Sequence, residues 1–315
     1  MKIAVLESLG INENKWKECT APFLEQGHQI VSYERETSEE ILIEHAKDAD
    51  AVIIANMPLS GNVIRNCEKL KFIDIAFTGV DHVDLQAAKE KGIAVSNASG
   101  YSNEAVAELT VSMMLALLRN LKAVEERCRE GKTKDGLIGR ELKGKTVGVI
   151  GTGKIGTRTA QICSAFGCKV LGTRKNPGKE KEEFITYVPL DELLEKSDIV
   201  TLHCPLTEET RGLINREKIG LMKPGAILIN AARGPVVEEE ALAEALNEGK
   251  LGGAGIDVFD LEPPLPKDHC LLQCKNTIVT PHVAFATEES MELRAEIVFQ
   301  NLASWMEGRQ ENIIC

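Results

Sequence analysis

Short apolar runs rich in Val, Ile and Ala recur along the chain, separated by longer stretches with helical spacing. Runs of that length bounded by turn residues predict buried strands, and apolar positions three and four apart predict amphipathic helices. In the first third the predicted strands are KIAVLE (2–7), HQIVSY (28–33), AVIIA (51–55), FIDIAF (72–77) and IAVSN (93–97). Helices are predicted between them at 38–48 and 84–92, the second stopped by Gly92.

A second series begins after Leu142. Its predicted strands are 145–151, 169–172, 199–203, 226–230, 253–258 and 277–282, with helices at 154–167, 190–197, 216–222 and 238–249. Alternation of this kind marks parallel α/β sheets covered by helices. Two series predict two doubly wound parallel-sheet domains. Between them, residues 104–131 predict one long helix, apolar over much of its circumference. A core helix and a subunit interface both fit such a surface, and the interface is the preferred reading. Residues 286–308 predict a last helix that returns to the first domain.

Composition narrows the classes. A chain of 315 residues is long enough for two cores. A net charge of −11 argues against nucleic acid or an anionic membrane surface, though a local cationic pocket remains compatible with it. No apolar run approaches the roughly 18 residues that span a bilayer. The start, MKIAVLESLG, lacks a basic region followed by a long apolar stretch, so no secretory signal is expected. Nine cysteines without dense spacing point to free thiols in a reducing cytoplasm. His269, Cys270 and Cys274 invite a zinc reading, but no second ligand pair accompanies them. A surface loop without metal is expected there.

Chemistry concentrates in the second series. Gly151-Thr152-Gly153-Lys154-Ile155-Gly156 follows a predicted strand and opens a predicted helix. In that context the first glycine permits a tight turn. The second lets the backbone approach a pyrophosphate, and the third lets the helix pack on the strand. The next strand runs into Thr173-Arg174-Lys175, with no acid before Glu180. An acid there would bind a ribose 2′-hydroxyl, whereas a hydroxyl and two cations suit a 2′-phosphate, so NADP is expected ahead of NAD.

Arg233 in NAARGP and His282 in TPHVAFAT each follow a predicted strand, where open α/β sheets bind ligands. A guanidinium can grip a carboxylate and polarise a neighbouring keto oxygen, and an imidazolium can donate a proton to it. Glu262, before Pro263-Pro264, can orient that imidazole. Asp257 closes its strand in a place suited to the nicotinamide amide.

YSNEAVAELT, GKTVGVIGTGKIG, LHCPLTEETRGLIN, MKPGAILINAARGPVV and TPHVAFAT together resemble the D-isomer-specific 2-hydroxyacid dehydrogenases, in that family's order and over nearly the whole chain. The resemblance implies a flavodoxin-like catalytic domain (1–99 plus 285–315) and a Rossmann coenzyme domain (100–284), with a cleft, hinge closure and a homodimer through the coenzyme domains. It implies Arg233 as substrate arginine, Glu262 as orienting carboxylate and His282 as acid–base histidine. Cofactor contacts are implied at Lys154, Ile155, Cys204, Pro205, Thr210, Ala231 and Asp257, and substrate contacts at Thr78, Gly79 and Val80. Glu262 departs from the formate dehydrogenase relatives, which pair the histidine with Gln. Asn56-Met57-Pro58-Leu59-Ser60 lacks the cation of phosphoglycerate members, and no regulatory domain is expected after the coenzyme domain. The expected activity is reduction of hydroxypyruvate or glyoxylate. The alternatives are an NAD-dependent phosphoglycerate dehydrogenase and a non-catalytic dinucleotide-sensing module.

Overall fold

The computed structural model describes residues 1–175, 182–261 and 264–315. The chain divides into two units, Met1–Ser102 with Ala286–Cys315, and Asn103–Phe285.

In the first unit, strands β1 (Lys2–Val5), β2 (Gln29–Ser32), β3 (Ala51–Ile54), β4 (Phe72–Ile75) and β5 (Ala94–Asn97) form a parallel sheet in the order β2-β1-β3-β4-β5. This order is that of flavodoxin-like sheets. β3 and β4 are buried at every position, as sheets covered on both faces require, whereas β2 at the edge is polar and partly open. Asp50 ties the sheet at its start, its Oδ2 accepting from Lys2 N at 2.8 Å.

Helices α1 (Glu13–Glu25), α2 (Glu39–Ala46), α3 (Gly61–Asn66) and α4 (Leu85–Glu90) connect the strands. Asn12, Ser60 and Asp84 begin α1, α3 and α4 by accepting a hydrogen bond from a first-turn N–H. The C-terminal helix, Glu288–Met306, starts with a Thr287/Ser290 capping box. It belongs to this unit, where Trp305 stacks on Phe72 and Phe299 meets Phe23 and Trp16. Asn301 from this helix donates to the buried Asp74 in mid-β4 at 3.0 Å.

The second unit holds β6 (Thr146–Ile150), β7 (Lys169–Thr173), β8 (Thr186–Tyr187), β9 (Ile199–Leu202), β10 (Ala226–Asn230), β11 (Leu251–Ile256) and β12 (Thr277–Val279). All are parallel, in the order β12-β11-β10-β9-β6-β7-β8. The direction of winding reverses between β6 and β9, which opens a crevice beyond their C-terminal ends. The two-residue β8 lies beyond what periodicity can signal. Asp198 ties this sheet as Asp50 ties the other, accepting from Thr146 N at 2.8 Å and from Lys223 at 2.9 Å.

The single helix predicted over 104–131 is two helices, α5 (Asn103–Leu118) and α6 (Leu121–Arg129). Asn120, at φ +50°, breaks the run, a conformation Asn tolerates better than most residues. The apolar faces of α5 serve the unit's own core: Val106, Val111, Met113 and Leu118 are buried, and the helix packs on β10, β11 and the helix that follows β6. No residue of α6 is buried. That next helix, α7 (Lys154–Ala165), is followed by α8 (Leu190–Lys196), α9 (Arg216–Leu221) and α10 (Glu239–Asn247). Among the described residues no helix is long and apolar enough to cross a membrane.

Candidate active site

The turn from β6 into α7 is built by main-chain contact. Gly151 sits at φ +94°, and a Cβ there would lie 2.7 Å from Cys204 N and from the His203 carbonyl. A Cβ on Gly156 would lie 2.0 Å from Gly151 O. Gly151 N also donates to Thr173 O at 2.9 Å, so the turn is fastened to β7 as well as pressed on the β9 exit. By contrast a Cβ on Gly153 would meet nothing within 4 Å, and Gly153 caps α7 without any side-chain bond. Thr152 Oγ1 is buried without a hydrogen-bond partner. The N-terminus of α7, where Lys154 and Ile155 begin the helix, therefore faces open space with its positive dipole end.

That space is a cleft of about 750 Å³ between the exits of β6, β7 and β9. Its size lies within the range of cofactor sites. Open space at Gly153, an uncapped helix start and an orphaned hydroxyl are what a dinucleotide pyrophosphate would complete.

At the far end of the cleft lie Thr173, Arg174 and Lys175. Arg174 lays its guanidinium over the Tyr187 ring, 4.8 Å from its centroid. Lys175 reaches both oxygens of Glu209 at 2.5 Å, so this cation is engaged by the loop after β9. On that loop, Thr210 Oγ1 donates to Pro205 O at 2.6 Å and accepts from Thr207 N at 2.8 Å, which shapes the turn. Cys204 is half-buried, and burial pushes its thiol up to about 11. Burial also holds His203 down to about 4, so its ring is neutral at ordinary pH while it bonds Thr201 at 3.1 Å.

Arg233 and His282 come from β10 and β12, which flank β11. The parallel ladder continues past the strand ends: Asp257 N donates to Asn230 O at 2.9 Å and His282 N to Asp257 O at 2.8 Å. Asn230 shapes the arginine loop, its Nδ2 donating to Arg233 O at 3.0 Å and its Oδ1 accepting from Ala232 N at 3.1 Å. Ala231 lies in this half-buried loop. A Cβ on Gly234 would strike the Phe259 carbonyl at 1.9 Å, so the next residue must be glycine for the loops after β10 and β11 to meet.

Asp257 has a role the sequence did not signal. It is fully buried and organises the His282 turn, accepting from Thr280 Oγ1 (2.6 Å), Val283 N (2.8 Å) and Ala284 N (2.9 Å). Burial raises its pKa, against the lowering effect of those bonds. His282 itself takes φ +54° and meets Phe285 edge-on at 5.6 Å. Glu262, the expected partner of the imidazole, lies outside the described residues, as does Glu180. Asn230 and Thr280 escaped sequence reasoning, because nothing but tertiary position distinguishes them from other strand-end polar residues.

The surface loop expected at His269 is corrected. The His269 side chain is only 9% exposed, and its Nε2 lies 3.1 Å from Glu239. Glu239, His269 and Cys270 each place one ligand atom within 4.8 Å of the others. Protein groups already use two of the three: Glu239 accepts from Asp260 N at 3.0 Å and His269 Nδ1 from Leu271 N at 3.4 Å.

In the first unit, Thr78-Gly79-Val80 is a half-buried turn after β4, where Thr78 O accepts from Asn97 Nδ2 at 2.7 Å. The segment 56–60 carries no cation of its own, but Arg35 donates to Asn56 Oδ1 at 2.9 Å.

A Rossmann sheet with a cation and an imidazole on strand exits flanking a third defines a dinucleotide-dependent oxidoreductase. The model of the D-isomer specific 2-hydroxyacid dehydrogenase NAD-binding domain matches residues 111–284. A hydroxypyruvate reductase of Blautia hydrogenotrophica is 37% identical over 100% of this chain and 99% of its own length. A D-3-phosphoglycerate dehydrogenase of Methanocaldococcus jannaschii is 42% identical over 88% of this chain and 54% of its own. The structure of an acyclic imino acid reductase in complex with NADPH and D-Arg superposes with a TM-score of 0.91 at 29% identity, covering 100% of both chains. The chain belongs to the D-isomer-specific 2-hydroxyacid dehydrogenase family and is an NAD(P)-dependent oxidoreductase acting on CH–OH groups.

Proposed function

We propose that the enzyme reduces a small 2-keto acid, hydroxypyruvate or glyoxylate, to the D-2-hydroxy acid. The observation that carries this reading is the stitched edge Asn230–Asp257–His282, which sets the Arg233 loop and His282 on strands flanking one buried carboxylate. Arg233 holds the substrate carboxylate and polarises the keto oxygen. His282 gives its proton to that oxygen, and Glu262 orients the imidazole. The reduced nicotinamide, when bound, supplies hydride to C2. Asp257 fixes the His282 turn and is assigned the nicotinamide amide. Gly151, Gly153 and Gly156, with the N–H groups of Lys154 and Ile155, take the pyrophosphate. Cys204, Pro205, Thr210 and Ala231 are assigned to the cofactor, and the Thr78-Gly79-Val80 backbone to the substrate carboxylate. Metal has no part in this scheme.

NADP is assigned ahead of NAD on Thr173, Arg174 and Lys175. Releasing Lys175 from Glu209 costs little, since an exposed ion pair contributes about 0–1 kcal/mol. The deciding assay is reduction of hydroxypyruvate with NADPH and with NADH. Arg233→Ala is expected to lower kcat/KM about 1000-fold, about 4 kcal/mol. Near-normal turnover by that variant would remove Arg233 from the scheme, and nucleotide binding without turnover of any keto acid would favour a sensing module. Arg35 beside Asn56 favours a second reading, a phosphorylated substrate. Higher kcat/KM for 3-phosphohydroxypyruvate than for hydroxypyruvate would select it.

We also assign a homodimer through the second unit, on the exposed Leu121 and Ile138 at and beyond α6. Sedimentation tests it. The nine cysteines suit a reducing, cytoplasmic setting.

A further inference from the structure

Helix α7 ends in a doubly bonded cap. Gly167, at φ +80°, donates to Ser164 O at 2.8 Å, and Cys168 N donates to Cys163 O at 3.1 Å. This is the Schellman pattern, which folds the chain back so that the second residue past the cap packs on the last helical turn. Two apolar side chains usually fill that contact. Here both are cysteines, and both are free.

Their surroundings differ. Cys163 is fully buried, with its Sγ 4.0 Å from Met114 Sδ. Cys168 is half-buried, and its Sγ donates to Leu142 O at 3.4 Å. The two thiols are close enough to influence each other, an effect that lowers the pKa of Cys168 and, together with burial, raises that of Cys163. One partly accessible thiol packed on the same helix cap as one buried thiol is the arrangement of an attacking and a resolving cysteine.

We propose that Cys163 and Cys168 form a redox modification site, closing to an intramolecular disulfide by exchange with a low-molecular-weight disulfide of the glutathione class. The Cys168 thiolate attacks one sulfur of the oxidant, forming a mixed disulfide and expelling one glutathione thiolate. The Cys163 sulfur then attacks Cys168, losing its proton, forming the Cys163–Cys168 bond and expelling the second glutathione. Two protein thiols are oxidised, and one oxidised glutathione is reduced to two molecules of thiol. The product ties the last turn of α7 to the residue before β7.

The chain offers a direct readout, because Arg158 and Lys169 flank both cysteines and trypsin releases them in one peptide, 159–169. The full chain is treated with oxidised glutathione and digested without reductant. The exposed Cys128 is expected to carry glutathione and so reports that the oxidant acted. Peptide 159–169 is expected to lose two hydrogen masses, take up neither glutathione nor alkylating reagent, and recover two alkylatable thiols after dithiothreitol. Cys163→Ala is expected to trap glutathione on Cys168. A peptide that stays reduced while Cys128 is modified would overturn the proposal, as would stable glutathione on Cys168 in the unaltered chain.

Discussion

Two residues after β1 the chain places Glu7, whereas directly after β6 in the second sheet it places Gly151. Glu7 is buried, its Oε1 accepting from Ala55 N (2.8 Å) and Met57 N (3.0 Å), with Arg35 3.6 Å from Oε2. The main-chain donors leaving β3 are thus consumed by a carboxylate lodged beside the crevice. The helix that follows starts with the Asn12 cap and the acidic Glu13. In the second sheet no side chain leaves position 151, the helix start is uncapped, and its first residue is Lys154. Both sheets are parallel and wound outward from a first strand, yet one crevice holds a paired carboxylate while the other is open at a helix start. Architecture supplies a crevice at each switch point, and the residues leaving the first strand decide which one admits a phosphate.

The largest effect is expected from filling the open crevice. Gly151→Ala sets a Cβ against the His203–Cys204 backbone at a positive φ, and should weaken NADPH binding at least about 100-fold, about 2.7 kcal/mol. A fluorescence titration measures it, with circular dichroism to show that the fold persists. Unchanged affinity would mean that the crevice does not hold the nucleotide.

Emptying the filled crevice comes next. Glu7→Ala leaves the Ala55 and Met57 N–H groups without their acceptor and should cost about 2–4 kcal/mol in urea unfolding. NADPH affinity should not move. A matching loss of affinity would show that the two crevices are not independent.

A smaller effect separates the sheets by pH. β10 is apolar up to Asn230, whereas β4 carries Asp74, whose carboxyl burial pushes well above 3.8 while its Oδ2 has no partner. A raised folded pKa means that the folded chain holds this proton longer than the unfolded one. Stability is therefore lost as pH rises from 3.8 through the raised value, and the loss is complete above it. Asp74→Asn removes that dependence and should stabilise by about 1–3 kcal/mol at pH 8, the charge removed outweighing the unpaired amide NH2 group. Equal stability at pH 4 and 8, relative to the parent chain, would refute it.

The smallest concerns the cleft mouth. Glu209→Gln frees Lys175 and should improve NADPH affinity a few-fold, consistent with about 0–1 kcal/mol for an exposed pair, while leaving NADH unaffected. Equal gains for both would make Lys175 a bystander.

Much of this was legible beforehand, because it is written in local pattern. The strand Ala226–Asn230, the glycine turn at 151–156 and the strand-end positions of Arg233 and His282 all follow from runs and punctuation a few residues long. What stayed hidden depends on residues far apart. Glu239 and His269 are 30 positions apart and pair only once α10 is in place. Glu7 reads as an ordinary strand-end acid until β3 is laid beside β1. The break at Asn120 is silent in the sequence because apolar spacing runs almost unchanged across it, and one left-handed residue leaves little mark on periodicity. Asp257 was assigned to the cofactor alone, since its bonds to Thr280, Val283 and Ala284 cross between strands.

His282 leaves its turn from a left-handed backbone pinned by Asp257. The direction of the side chain is consequently fixed by the main chain before any rotamer is chosen. The position works as a mount: Asn, which also tolerates this backbone, would leave it along the same line, so the chemistry presented at this edge can be exchanged without rebuilding the loop that aims it.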